Sequence, residues 1–142
     1  MTKLFIFAAG ISLLAAQNSP HAGDLALSVN GVRSASGTIM IAVYDAEAGF
    51  RDPTNAMARI SLRARKGSVK VTLPDLPPVT YAVSVFHDEN GDKKLDSNLL
   101  GIPTEGYGFS NDARGSMGPT TFQASAVEIG TGNMPIPIML GY

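Results

Sequence analysis

Apolar and polar residues alternate along most of the chain with the two-residue period of a half-buried strand. Leu25, Leu27 and Val29 face one way and Ala26, Ser28 and Asn30 the other, until Gly31 breaks the run. Gly37 opens a second run, with Ile39, Ile41 and Val43 on one face and Met40, Ala42 and Tyr44 on the other. Apolar residues on both faces predict a central strand. The third run sets Ala58, Ile60, Leu62 and Ala64 against Arg59, Ser61, Arg63 and Arg65. Lys66-Gly67 then reads as a hairpin turn into a fourth, where Val69, Val71 and Leu73 alternate with Ser68, Lys70 and Thr72. Tyr81, Val83 and Val85 alternate with Ala82, Ser84 and Phe86; Phe122, Ala124 and Ala126 form a sixth run. In the seventh, Ile136, Ile138 and Leu140 oppose Pro135, Pro137 and Met139. Prolines have no N–H to give a neighbouring strand, which predicts an edge.

Seven short strands separated by Gly, Pro, Asn and Asp predict an all-β, immunoglobulin-like sandwich of two sheets. Residues 45–57 read as a polar loop or short helix. Residues 88–118 are a longer excursion, and loops of that length are functional or disordered. Leu95, Leu99, Leu100, Ile102, Tyr107 and Phe109 make it too apolar for disorder, so it is expected to pack on the sandwich as one long ordered loop.

The beginning of the chain has a different pattern. Lys3 precedes an uncharged apolar run, Leu4 to Ala16, followed by Gln17-Asn18-Ser19-Pro20-His21-Ala22. A cationic tip, a short apolar stretch and a small-residue exit read as a secretory leader, residues 1–22, with cleavage after Gln17 or Ala22. The run has 13 residues, whereas a membrane span needs about 20. The expectation is a single sandwich domain over 23–142, periplasmic or secreted, with no membrane span once the leader is removed.

Composition narrows the chemistry. With 11 basic and 12 acidic residues the net charge is −1, which gives no electrostatic footprint for nucleic acid. The chain has no cysteine, which excludes disulfides, thiol nucleophiles, zinc-thiolate sites and lipid attachment through cysteine. A protein or a small ligand remains as the partner class.

Two stretches carry a family resemblance. Asp75-Leu76-Pro77-Pro78-Val79-Thr80-Tyr81-Ala82-Val83 resembles the LPPGxY strand opening of prealbumin-like and carboxypeptidase-regulatory-like sandwiches, with Val79 where those have Gly. His87-Asp88-Glu89-Asn90-Gly91-Asp92-Lys93-Lys94-Leu95-Asp96, then Leu100-Gly101-Ile102-Pro103-Thr104-Glu105-Gly106-Tyr107-Gly108-Phe109-Ser110-Asn111 and Gly118-Pro119-Thr120-Thr121-Phe122, are similar to the bacterial secreted family called domain of unknown function 2141. Lys93 stands where that family usually has Gly. The resemblance implies a secreted, prealbumin-like β-sandwich with no established activity.

Asp88, Asn90, Asp92 and Asp96 follow the spacing D-x-N-x-D-x-x-x-D. Ca²⁺ takes six to eight oxygens from a tight loop, and carboxylates and amides on alternate residues supply them. The Lys94 carbonyl would occupy the seventh place, and Glu105 would close the shell if the loop folds back. Lys93 occupies the sixth place, where a sharp turn normally takes Gly, and Leu99 the twelfth, where an acid is needed. An EF-hand is therefore disfavoured. The competing reading is an Asx-rich turn whose side chains bond backbone N–H groups without metal.

Catalysis has little to work with. G-x-S-x-G and H-E-x-x-H are absent. Hydroxyisourate-opening relatives of prealbumin end in Tyr-Arg-Gly-Ser, and this chain reads Met139-Leu140-Gly141-Tyr142 there. No catalytic residue is assigned, and the expected role is a non-enzymatic module. The alternatives are a small hydrolase or isomerase using His87 beside Asp88, with Tyr107 or Ser110, and a structural or accessory envelope protein. Met40, Met57, Met117, Met134 and Met139 show no clustering for copper. Arg59, Arg63 and Arg65 suit a solvated sheet face, or an anionic ligand. Tyr107, Phe109 and Phe122 beside Gly106 and Gly108 suit a plug that fastens the loop, or a shallow ligand groove.

Overall fold

A computed structural model describes residues 22–115 and 119–142. The leader therefore lies outside the described residues apart from Ala22. Eight strands form: β1 (Gly23–Val32), β2 (Thr38–Tyr44), β3 (Ala58–Arg63), β4 (Gly67–Leu76), β5 (Thr80–Asp88), β6 (Tyr107–Phe109), β7 (Val127–Glu128) and β8 (Gly132–Met139). They make two sheets. One has the order β4-β1-β8; the other is five-stranded, in the order β3-β2-β5-β6 with β7 added against β5.

The alternating residues behave as a sandwich requires. Leu25, Leu27 and Val29 of β1 and Ile136 and Ile138 of β8 are buried from one side. Ile39, Ile41 and Val43 of β2 and Tyr81, Val83 and Val85 of β5 are buried from the other, and all belong to one hydrophobic cluster. Each such side chain contributes about 1.5–3 kcal/mol by leaving water. β2, apolar on both faces, lies between β3 and β5. β8 is an edge strand with Pro135 and Pro137 exposed, and it pairs in parallel with β1, from Gly23 opposite Gly132 to Asn30 opposite Met139. At the double-proline corner, Tyr81 Oη donates to the Pro77 carbonyl at 2.8 Å and ties the start of β5 to the turn before it.

Three expectations are corrected. The strand count is eight, not seven, because β6 and β7 form while the run from Phe122 to Ala126 does not. Phe122–Ser125 is instead one helical turn, capped by the Thr121 hydroxyl, which accepts from the Ala124 N–H at 3.1 Å. Lys66-Gly67 is not a hairpin turn: β3 pairs with β2 and β4 with β1, so this turn crosses between layers. Ile60 and Leu62 of β3 and Val69, Val71 and Leu73 of β4 pack on the same core from the two sheets. Third, Leu99, Leu100 and Ile102 do not pack on the sandwich but are exposed. Asn98 orders that turn instead, its Oδ1 accepting from the Leu100 and Ile102 N–H groups at 2.9 and 3.1 Å.

Candidate functional site

Antiparallel pairing of β2 with β5 sets Thr38 opposite Asp88 at one end and Tyr44 opposite Ala82 at the other. The loop leaving Tyr44 and the loop leaving Asp88 therefore rise at opposite ends of the larger sheet. Both fold over its outer face.

At the Asp88 end, polar side chains bind the loop to itself. The buried Asp88 carboxylate accepts from the Gly91 and Lys93 N–H groups, each at 2.9 Å. Asn90 Oδ1 accepts from the Asp92 N–H at 3.2 Å and Asp92 Oδ1 from the Lys94 N–H at 2.9 Å. Asn90 Nδ2 donates to Asp96 Oδ2 at 2.5 Å. Lys93, in the sixth place, has φ 64°, so the turn that normally takes Gly is made here by a lysine. Glu105 is buried and clasps the two ends of the loop: Oε1 accepts from the Glu89 N–H at 2.9 Å and Oε2 from the Asp96 N–H at 3.2 Å. Partial burial raises the pKa of Asp96, and the neighbouring Asp92 carboxylate raises it further. All six sequence-selected residues, Asp88, Asn90, Asp92, Lys94, Asp96 and Glu105, thus lie in one knot of hydrogen bonds. Among the described residues, no three His, Asp or Glu side chains gather closely enough to hold a metal ion.

His87 is fully buried. Its Nε2 meets the Ser36 carbonyl at 2.6 Å and its Nδ1 meets Tyr142 Oη at 2.8 Å. Both ring nitrogens are occupied, and the residue lines no part of the groove described below. This leaves it without the access a general base needs. Tyr142 Oη also accepts from the Arg33 N–H at 3.2 Å, and the Arg33 guanidinium lies 4.3 Å over the tyrosine ring. Arg33 in turn pairs with Glu89, its Nε at 2.9 Å from Oε1, and holds that carboxyl below its usual range.

The run Glu105-Gly106-Tyr107-Gly108-Phe109-Ser110-Asn111, which carries much of the family resemblance, does structural work. A Cβ on Gly106 would sit 2.4 Å from the Tyr142 ring, and one on Gly108 2.7 Å from the Met139 carbonyl. The buried Ser110 hydroxyl accepts from the Val83 N–H at 2.9 Å and donates to the Ser125 carbonyl. Asn111 Nδ2 donates to the Ala126 carbonyl at 2.6 Å. At the Tyr44 end, Phe50 packs edge-on against Tyr44 (5.2 Å between centroids) and Phe122 (5.7 Å), and also meets Phe109 (6.1 Å). Phe109 and Phe122 are therefore the expected plug.

Between the two loops the sheet face stays open. A groove of about 590 Å³ has a floor of Met40, Ala42, Ser84, Phe86, Tyr107 and Phe109. Arg51 and Pro53 wall one end, Lys93, Lys94 and Leu95 the other, and Arg59 the β3 side. Its size is that of a small-molecule site. Tyr107 and Phe109 thus serve the groove as well as the plug. Arg59 lines it, while Arg63 and Arg65 do not. Sequence reasoning missed Met40, Ser84, Phe86 and Arg51, because only the pairing register gathers them; the apolar outer face of β2 was the available signal.

The family model described as "Uncharacterized protein conserved in bacteria (DUF2141)" matches residues 27–137. Comparison with curated proteins and with solved structures found no match. The prealbumin-like part of the resemblance therefore rests on the residues 75–83 motif alone.

Proposed function

This chain belongs to the DUF2141 family of uncharacterised bacterial proteins, and from that premise we propose that it is an exported, non-enzymatic β-sandwich module that binds a small ligand on the outer face of its larger sheet. The leader pattern of residues 1–22 supports export to the periplasm or the medium. Among the described residues, no helix is long and apolar enough to cross a membrane. The observation that carries the reading is the contrast between the two sites. The groove is concave and lined by apolar and cationic side chains, whereas His87 is buried with both nitrogens bonded.

The test is a chemical-shift titration with small probes that share an eight-carbon chain. At least one must perturb Met40, Ser84 and Phe86 saturably; silence from all of them overturns the reading. N-terminal sequencing of the exported protein checks cleavage after Gln17 or Ala22.

A second element is a structural Ca²⁺ in the 88–96 loop, which would require its carboxylates to draw closer together than they stand here. It is supported by the left-handed Lys93 in the sixth place and by the adjacent Asp92 and Asp96 carboxylates, whose repulsion a cation would relieve. Affinity would be weak, on the order of 10⁻⁴–10⁻³ M, as in extracellular modules. Millimolar Ca²⁺ should raise the melting temperature, and Asp92→Ala should abolish the rise; an unchanged melting temperature removes the ion.

A further inference from the structure

The cross-strand register sorts the groove floor into two rows. Arg59, Ala42, Ser84 and Phe109 stand side by side across β3, β2, β5 and β6, and Ser61, Met40, Phe86 and Tyr107 form the next row towards the Asp88 end. The first row carries the one cation of the floor, Arg59, together with Ser84. Arg59 and Ser84 flank Ala42 from the two neighbouring strands, and both line the groove with Arg51 at its wall. The buried Tyr44 hydroxyl lies close to Ser84 at this end of the sheet and does not itself line the groove. The second row brings the two large apolar side chains Met40 and Phe86 side by side, and Leu95 stands at the wall beyond them with Lys93 and Lys94.

Cations ring this floor on both ends. Arg51, Arg59, Lys93 and Lys94 line the groove and no carboxylate does. Among the described residues the one ion pair is Arg33–Glu89, away from the groove, so these four cations have no acid partner. The Asp52 carboxylate beside Arg51 is engaged by Thr54, whose N–H and hydroxyl donate to it at 2.9 and 2.7 Å. Guanidinium groups next to an apolar surface favour an anionic head with an apolar body. The walls at both ends restrict the length of what can lie there.

We propose that the groove binds a small amphiphilic anion, with its carboxylate at Arg59, Arg51 and Ser84 and its hydrocarbon tail on Met40, Phe86 and Leu95. This deepens the binding-module reading and rests on it. A free medium-chain carboxylate is the chosen occupant over an acidic peptide, because the cations surround one apolar basin instead of forming a linear track.

The test compares octanoate, 1-octanol, octylamine and acetate by chemical-shift titration of the purified protein. Octanoate should saturate shifts at Met40, Ser84 and Phe86. Octylamine should bind at least about tenfold more weakly, the scale of one charge-assisted hydrogen bond, and acetate at least as much more weakly because it buries none of the methylenes of the tail. Arg59→Gln, an exposed change on an edge strand, should weaken octanoate by a similar factor. Octanol or octylamine matching octanoate in the groove would overturn the anion assignment and leave a binding module. Equal octanoate affinity in Arg59→Gln, or groove binding by an acidic peptide but not by octanoate, would also overturn it. No response to any probe would remove the binding module itself.

Discussion

Tyr142 Oη lies 2.8 Å from Nδ1 of the buried His87, although the two residues are 55 positions apart. The Ser36 carbonyl, 2.6 Å from Nε2, can only accept, so in the neutral ring the proton sits on Nε2 and Tyr142 donates to Nδ1. Tyr142→Phe keeps the ring and removes the donor. It should cost about 1–3 kcal/mol, the penalty for a buried acceptor left without a partner. Denaturant unfolding measures the loss, and nitrogen shifts of His87 report the tautomer in the parent protein.

Glu105 is the clasp of the acidic loop, and both of its oxygens accept backbone N–H groups. Glu105→Gln replaces one acceptor with a donor that must face another donor. Stability should fall by about 1–3 kcal/mol. The Glu89 and Asp96 amides should exchange with deuterium faster than in the parent, while amides of β1 keep their relative order.

Lys93 has a left-handed backbone, a conformation that costs an L-residue roughly 1–2 kcal/mol. Glycine relieves that cost but gains freedom in the unfolded chain, which offsets part of it. Lys93→Gly should therefore stabilise the protein by up to about 1 kcal/mol, read as a higher denaturation midpoint with an unchanged denaturant slope. A lower midpoint would mean that the lysine side chain contributes more than the turn costs.

Alkali should destabilise the fold. Burial raises the pKa of Tyr44, Tyr81 and Tyr142 above the ordinary value of about 10. A raised folded pKa means that the folded state favours the neutral phenol. Its contribution is fully present below the unfolded pKa and is lost as pH rises through the folded one. Melting temperature should therefore decline above about pH 10, and tyrosinate absorbance should lag in the folded protein and catch up on unfolding.

Much of this architecture was legible in the alternation of residues. β1 to β5 and β8 each put the expected residues into the core, because a strand with one buried face displays its period directly. The proline edge was legible for the same reason. β6 was not, since the three residues Tyr107-Gly108-Phe109 are too few to show a period and gain their order from pairing with β5. The stretch from Phe122 to Ala126 misled because small apolar residues suit either a strand or a single helical turn; the Thr121 cap decides it. The layer crossing at Lys66-Gly67 was hidden because a turn dipeptide does not say which sheet the next strand joins. In the acidic loop the residue types were visible, but not that the loop N–H groups would engage so many of their oxygens. The groove was the least legible part. Met40, Ser84, Phe86 and Arg59 come from three strands, and only their register makes them neighbours.

The parallel pairing of β1 with β8 joins positions 109 apart along the chain, Gly23 to Gly132. Until the later segment arrives, β1 has hydrogen-bonding groups bare along one side, and the smaller sheet is only a two-stranded ribbon. Sequence-distant closure of this kind slows folding towards milliseconds to seconds, and an unpaired apolar edge invites association with other chains. Loss of this pairing, for example by truncation before residue 132, should therefore leave an association-prone edge on β1.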